Sequence, residues 1–232
     1  MTQLRVVTRH VDKSSGKTVD IVYHVAGEEH KAEIQALLTR FFRVEEPITS
    51  AIGLSVDDSR AFFESLIDES LQHPVSIAAR DADTDALVGI RLSAVKDLDA
   101  PYDDENDDLS ALPLKAQQIA GFIGLVEKDL DKLVPQGYRK LLKLSVINVD
   151  PAYYRMGIGQ RMVQLCLEEG RKQGCQALYS VLTSLKTQSM YSEARGYTVL
   201  KKIYHKDVVD GHGRRVFDCK EQFGSLAFKP LL

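Results

Sequence analysis

Leu144-Ser-Val-Ile-Asn-Val-Asp-Pro-Ala-Tyr-Tyr-Arg-Met-Gly-Ile-Gly-Gln160 reads as a strand that halts at a proline and gives way to a helix opened by glycines. Pro151 has no N–H for a ladder and disfavours helix at Asp150, so the strand stops there. Past a short loop, Gly157 and Gly159 begin a helix whose apolar face is Ile158, Met162, Leu165 and Cys166. The first amides of a helix have no partner within it and lie at the positive end of its dipole, and glycine lets a bulky anion reach them. A bare pair of glycines two apart also serves a tight turn. The preceding Val-Asp-Pro, the neighbouring Arg155 and the amphipathic run are what turn the reading toward a pyrophosphate cradle. A dinucleotide fingerprint does not fit, because its third glycine falls on Met162.

Working outward, strand and helix alternate: strand Leu141 to Val149, helix Gly157 to Lys172, strand Ala177 to Leu182, helix Lys186 to Arg195, strand Tyr197 to Tyr204. That alternation predicts an α/β layer fold with a partly parallel sheet. Upstream, Leu4 to Val11 and Thr18 to Val25 form a hairpin, and helices follow over Glu28 to Arg43 and Asp57 to Leu71. Val75 to Arg80 and Ala86 to Val95 make a second hairpin about the turn residues Asp81 to Asp85. A long helix is expected over Leu114 to Val134, closed by Pro135, and a last strand over Arg214 to Cys219 after the turn at Asp210-Gly211. No linker or repeat interrupts the chain, so residues 1–232 are read as one domain, with hairpin 1–26 part of its sheet.

The 232 residues carry a formal charge of -3 and a pI near 6.1, with no basic stripe. A nucleic-acid partner is not expected. Met1 to His10 lacks an apolar signal core and no window suits a membrane span, so the expected location is the cytoplasm, with no membrane partner. Cys166, Cys175 and Cys219 suit neither a disulfide framework nor zinc and are read as reduced thiols, Cys166 as core. No two of the six histidines have metal-ligand spacing. Asp97 to Asp108 holds seven acidic residues in twelve and reads as a solvated loop whose field would also draw a cationic amine.

Val149-Asp-Pro through Arg155-Met-Gly-Ile-Gly159 resembles the acetyl-CoA motif of the GNAT superfamily of N-acetyltransferases, whose usual form is R/Q-x-x-G-x-G/A. The first motif position is Tyr154 here, with the positive charge one place later at Arg155. Gly196-Tyr197 is similar to the G-F/Y that ends the superfamily's last common helix. The resemblance implies the GNAT fold: a mixed central sheet of about seven strands flanked by helices, with a V-shaped splay at the acetyl-CoA site. It implies acetyl-CoA as cosubstrate. The backbone of Ile147, Asn148 and Val149 would hold the acetyl and pantetheine arm, and that of Arg155, Met156, Gly157, Ile158, Gly159 and Gln160 the pyrophosphate.

Amine acetylation needs a base to free the nitrogen's lone pair and an acid for the leaving thiolate. The tyrosine that many superfamily members use as acid is replaced by Ser192, with Tyr191 adjacent. Arg40-Phe-Phe-Arg-Val-Glu-Glu-Pro-Ile48 is similar to the F-[FY]-x-x-E-P-L segment of insect-type arylalkylamine N-acetyltransferases, whose glutamate before the proline is a general base; the matching residue is Glu46. In those enzymes a serine pair completes a relay. Its first member falls on Ser184 and its second on Gln188, and Ser184 reads equally well as the N-cap of the following helix. The function implied is acetylation of a small primary amine, an arylalkylamine foremost, by direct attack, in a monomer or homodimer. The alternatives are a polyamine, amino sugar or protein N-terminus as acceptor, or a non-catalytic acyl-CoA binder.

Overall fold

The alternating runs at the start of the chain pair as expected. In the computed structural model, which describes residues 4–12, 14–100 and 109–231, β1 (Arg5–Val11) and β2 (Thr18–Val25) form an antiparallel hairpin with Arg5 opposite His24 and Val11 opposite Thr18. Alternation turns Val19, Ile21 and Tyr23 into the core. At the turn the Asp12 carboxylate accepts the Ser14 N–H at 2.8 Å and the Ser14 and Ser15 hydroxyls at 2.7 Å.

The helices that follow in chain order are α1 (Lys31–Leu37), α2 (Arg43–Glu45), α3 (Pro47–Ala51) and α4 (Val56–Leu71). The helix read over Glu28 to Arg43 is thus a 3-10 turn, α1 and a π turn over Leu38–Phe42. Then come β3 (Ile77–Asp81), β4 (Leu87–Asp97), α5 (Leu114–Glu127), α6 (Leu130–Leu133), β5 (Lys140–Val149), α7 (Ile158–Lys172), β6 (Ala177–Leu182), α8 (Leu185–Met190), β7 (Thr198–Tyr204) and β8 (Phe223–Pro230). Eight strands are present among the described residues.

The chain divides into two compact units, each assembled from three separate stretches. The first comprises residues 1–42, 63–95 and 142–175. Its strands run in the order β1-β2-β3-β4-β5, with β2/β3 and β3/β4 antiparallel, and α7 packs against β3. Ile21, Tyr23, Ile34, Phe63, Ile77, Ile90, Leu142, Met162 and Cys166 are buried in it. Each such side chain removed from water contributes about 1.5–3 kcal/mol before the entropy of ordering is set against it.

The second unit comprises residues 43–62, 96–141 and 176–232. Its strands run β6-β8-β7, with both ladders antiparallel, and α5 lies on β7 and β8. The helix read over Leu114 to Val134 breaks at Asp129, which adopts φ 65°, and α6 starts beyond it. The strand read over Arg214 to Cys219 is replaced by a single bridge, Val209 to Arg215, and the strand that fills the sheet is β8. In β8 the buried run is Gly224-Ser-Leu-Ala-Phe228, continuous rather than alternating, because it is a central strand covered by neighbours on both sides. The acidic stretch read over Asp97 to Asp108 lies, from residue 101 on, outside the described residues; Asp99 pairs with Arg139 at 2.8 Å. All three cysteines are free thiols, Cys166 and Cys175 buried. No described helix is long and apolar enough to cross a membrane.

Candidate functional site

The strand-to-helix segment lies wholly in the first unit. β5 ends at Val149, and the Asp150 N–H donates to the Val88 carbonyl at 2.8 Å while the Asp150 carboxylate caps the Ala152 N–H at 2.8 Å. The next turn is pinned by Tyr153, whose hydroxyl donates to Asp81 Oδ2 at 2.8 Å. Burial raises the Tyr153 phenol to about 12, and the Asp81 carboxylate beside it adds to the effect. Burial works against ionisation of Asp81, but hydrogen bonds from Tyr153 and the Thr84 and Asp83 amides outweigh it and hold that carboxyl below its ordinary value.

Beyond this anchored loop the backbone takes an unusual course. Arg155 adopts φ 63° and Gly157 φ 83°, two left-handed residues around Met156. The first is uncommon for a residue with a Cβ. Met156 and Ile158 are 7% and 1% exposed and act as pegs, whereas Arg155, Gly157 and Gln160 face solvent. Among the described residues the N–H groups of Arg155 through Gln160 meet no backbone acceptor. A Cβ added at Gly157 would meet nothing within 4 Å, so the space beside that residue is open. The two glycines do different work. Gly157 supplies the left-handed turn, and Gly159 supplies close packing, since a Cβ there would lie 3.3 Å from Ile147 Cδ1 and 3.8 Å from Val149 Cγ2. Ile147 and Val149 thereby seat the first turn of α7, while Asn148 is 6% exposed with an Oδ1 that has no partner among the described residues. Free donors, a helix N-terminus and open space together suit a diphosphate.

The residues singled out for amine chemistry lie in the second unit. Glu46 is the N-cap of α3, with Pro47 at the first helical position, and is 9% exposed. Its Oε2 accepts the Thr49 N–H at 2.8 Å and its Oε1 accepts the Thr183 hydroxyl at 2.7 Å. Burial dominates these donors and pushes the carboxyl above its ordinary value of 4.5. Ser184 does not join this pair. It N-caps α8, accepting the Thr187 N–H at 3.1 Å, with its hydroxyl 2.9 Å from that of Thr187. The hydroxyl on Glu46 comes from the residue before it, Thr183. Gln188 donates to the Phe223 carbonyl at 2.9 Å.

Two further groups in this unit bear on mechanism. Burial raises the Cys219 thiol to about 11, and the charges of Glu221 and Glu46 add to the effect. Its Sγ lies 3.1 Å from His205 Nδ1, which donates to the Glu221 carbonyl at 2.8 Å. Cys219 is therefore a thiol at neutral pH and a poor nucleophile. Tyr191 is 3% exposed, and its hydroxyl has no partner among the described residues.

Residues 91–197 match the model of the acetyltransferase (GNAT) family. No curated protein matches the sequence. Among solved structures, a protein of the yellow fever mosquito provisionally named arylalkylamine N-acetyltransferase 7 shares 16% identity at a TM-score of 0.80, covering 100% of this chain and 97% of its own. Arylalkylamine N-acetyltransferase 2 of Aedes aegypti shares 17% at 0.78, covering 91% and 99%. A Drosophila melanogaster polyamine N-acetyltransferase that forms N-acetylagmatine shares 17% at 0.76, covering 91% and 100%. At these identities the likeness carries the fold, while the family match spans the strand-to-helix segment and stops short of Glu46. Residues 91–197 thus match the GNAT acetyltransferase family, and the chain shares the fold of the insect proteins solved as arylalkylamine N-acetyltransferases.

Proposed function

We propose that the chain acetylates a small primary amine, an arylalkylamine foremost, with Glu46 as general base and direct attack of the amine nitrogen. The observation that carries the proposal is a buried carboxylate whose basicity burial has increased, held by donors that include the Thr49 N–H and the Thr183 hydroxyl. An alkyl ammonium must lose a proton before it can attack, and a carboxylate with a raised pKa is the better acceptor. Acetyl-CoA, when bound, supplies an activated acyl carbon. The residues of the cradle bind and orient it, and Glu46 holds the proton taken from the amine. Direct attack is preferred to a covalent enzyme intermediate because the Cys219 thiol of the same unit as Glu46 stays protonated. The buried Tyr191 hydroxyl is the candidate donor to the departing thiolate.

Glu46→Gln tests the base. Glutamine can still accept the Thr49 N–H and donate to Thr183, so the cap persists while the base is lost. Turnover should fall with acetyl-CoA affinity intact, and undiminished turnover of this variant across pH contradicts the assignment. A second reading takes a polyamine as the acceptor. It is favoured by the acidic run Asp97 to Asp108 and by similarity to the Drosophila polyamine enzyme. Free-thiol release across a panel of aryl amines and polyamines separates the two.

A further inference from the structure

The pyrophosphate segment is tied to the N-terminal hairpin by a buried chain of hydrogen bonds. His10 on β1 is 8% exposed, and its Nδ1 lies 2.8 Å from the carbonyl oxygen of Met156. Tyr23 on β2 is fully buried, and its hydroxyl lies 2.6 Å from His10 Nε2. A carbonyl only accepts, so Nδ1 carries a hydrogen and donates to Met156, while the tyrosine hydroxyl meets Nε2 on the other side of the ring. Burial raises the Tyr23 phenol well above its ordinary range, so the hydroxyl keeps its proton to donate.

The bonded carbonyl belongs to the peptide that joins Met156 to Gly157, between the two left-handed residues Arg155 and Gly157. No peptide among the described residues is cis, and in a trans peptide the C=O of one residue and the N–H of the next point in opposite directions. Fixing the Met156 oxygen toward His10 therefore fixes the Gly157 N–H away from it, at an exposed residue with open space beside it. Flipped, the same peptide would present a carbonyl oxygen to an anion. A segment holding both a strained Arg155 and a freely turning glycine needs an outside contact to choose between these orientations.

We propose that His10 is a positioning residue for acetyl-CoA: it holds the Met156 carbonyl inward, so that the Gly157 N–H faces the diphosphate, and Tyr23 sets the imidazole for that task. The proposal rests on the cradle reading of Arg155 to Gln160 and gives the N-terminal hairpin a part in cofactor binding.

The test uses two conservative replacements that divide the imidazole's contacts. Asparagine places an amide N–H where Nδ1 stands and keeps the bond to Met156. Glutamine reaches the Nε2 position and keeps only the tyrosine contact. His10→Ala and His10→Gln are expected to raise the KM for acetyl-CoA, and the calorimetric Kd for CoA alone, about tenfold, with kcat and the amine KM unchanged. His10→Asn should restore most of the lost affinity. Equal losses in the Asn and Gln variants that follow their melting temperatures would overturn the proposal in favour of simple packing, as would a His10→Ala protein with unaltered CoA affinity. Gly157→Glu serves as the control on the underlying reading. Loss of CoA binding in that variant with none in His10→Ala sinks the role of His10 alone, while retained binding in Gly157→Glu sinks the cradle as well.

Discussion

The segment from Val149 to Gln160 and the segment around Glu46 solve opposite problems. The first leaves main-chain N–H groups from Arg155 to Gln160 without a backbone acceptor among the described residues, with open space beside Gly157. The second leaves no oxygen of its carboxylate unpaired, with Thr49 and Thr183 on either side. Donors left free by the fold are suited to holding a polyanion. A carboxylate enclosed and raised in pKa is suited to holding a proton, and the same enclosure makes it a helix cap. On the proposed function, the first region works through backbone course, and the second through the ionisation of one side chain.

Breaking the first region should produce the largest effect. Gly157→Glu places a side chain on a φ 83° residue and a negative charge over the donors, and CoA binding should become undetectable by calorimetry, a loss of at least about 100-fold. Next, Glu46→Gln should lower kcat by about 10²- to 10⁴-fold, the usual weight of a positioned base. The same variant sharpens the comparison through pH. Because burial raises the Glu46 pKa, its contribution to stability is present below the ordinary 4.5 and is lost as pH rises through the folded value. Melting temperature followed against pH should therefore decline less in Glu46→Gln than in the natural chain, and the acidic limb of kcat/KM should vanish.

Thr183→Val is expected to act in the middle range. Its hydroxyl favours the ionised carboxylate, so removal raises the Glu46 pKa further, moves the acidic limb to higher pH and lowers kcat/KM near neutrality by roughly 3- to 10-fold. An unmoved limb would separate Thr183 from the base. Ser184→Ala should have the smallest effect on turnover. It removes the N-cap of α8 and costs about 1 kcal/mol of stability, read as a lower denaturant midpoint, with kcat near that of the natural chain.

The same contrast explains what could be read from sequence. Glycine spacing and Pro151 specify backbone course directly, so the strand, the loop and the opening of α7 were legible, and the family match falls on them. Glu46 was legible only through the segment around it, and its partner was not. Thr183 and Ser184 are adjacent hydroxyls, and which of them reaches Glu46 is decided by how β6 ends, since Ser184 turns to cap α8. His10 and Tyr23 carried no signal at all. They lie on two ordinary alternating strands, and the contact of His10 with Met156 spans 146 positions of chain. β8 escaped because Gly224, Ser225 and Ala227 give no alternation and Pro230 reads as a breaker, while burial on both sides asks only for small or apolar residues. The break at Asp129 escaped because an apolar stripe continues across it through Leu130 and Leu133. The two units left no mark in composition because each is gathered from three stretches of the chain, so neither has a linker at its border.

The central claim is that main-chain N–H groups from Arg155 to Gln160 grip the diphosphate of acetyl-CoA. Amide nitrogen and proton shifts of the labelled chain, followed while CoA is titrated in and compared with a pantetheine that lacks the diphosphate, test it most directly. The account predicts that the amides of Met156 to Gly159 move strongly with CoA and stay in place with the truncated arm. CoA that binds while those resonances stand still would contradict it.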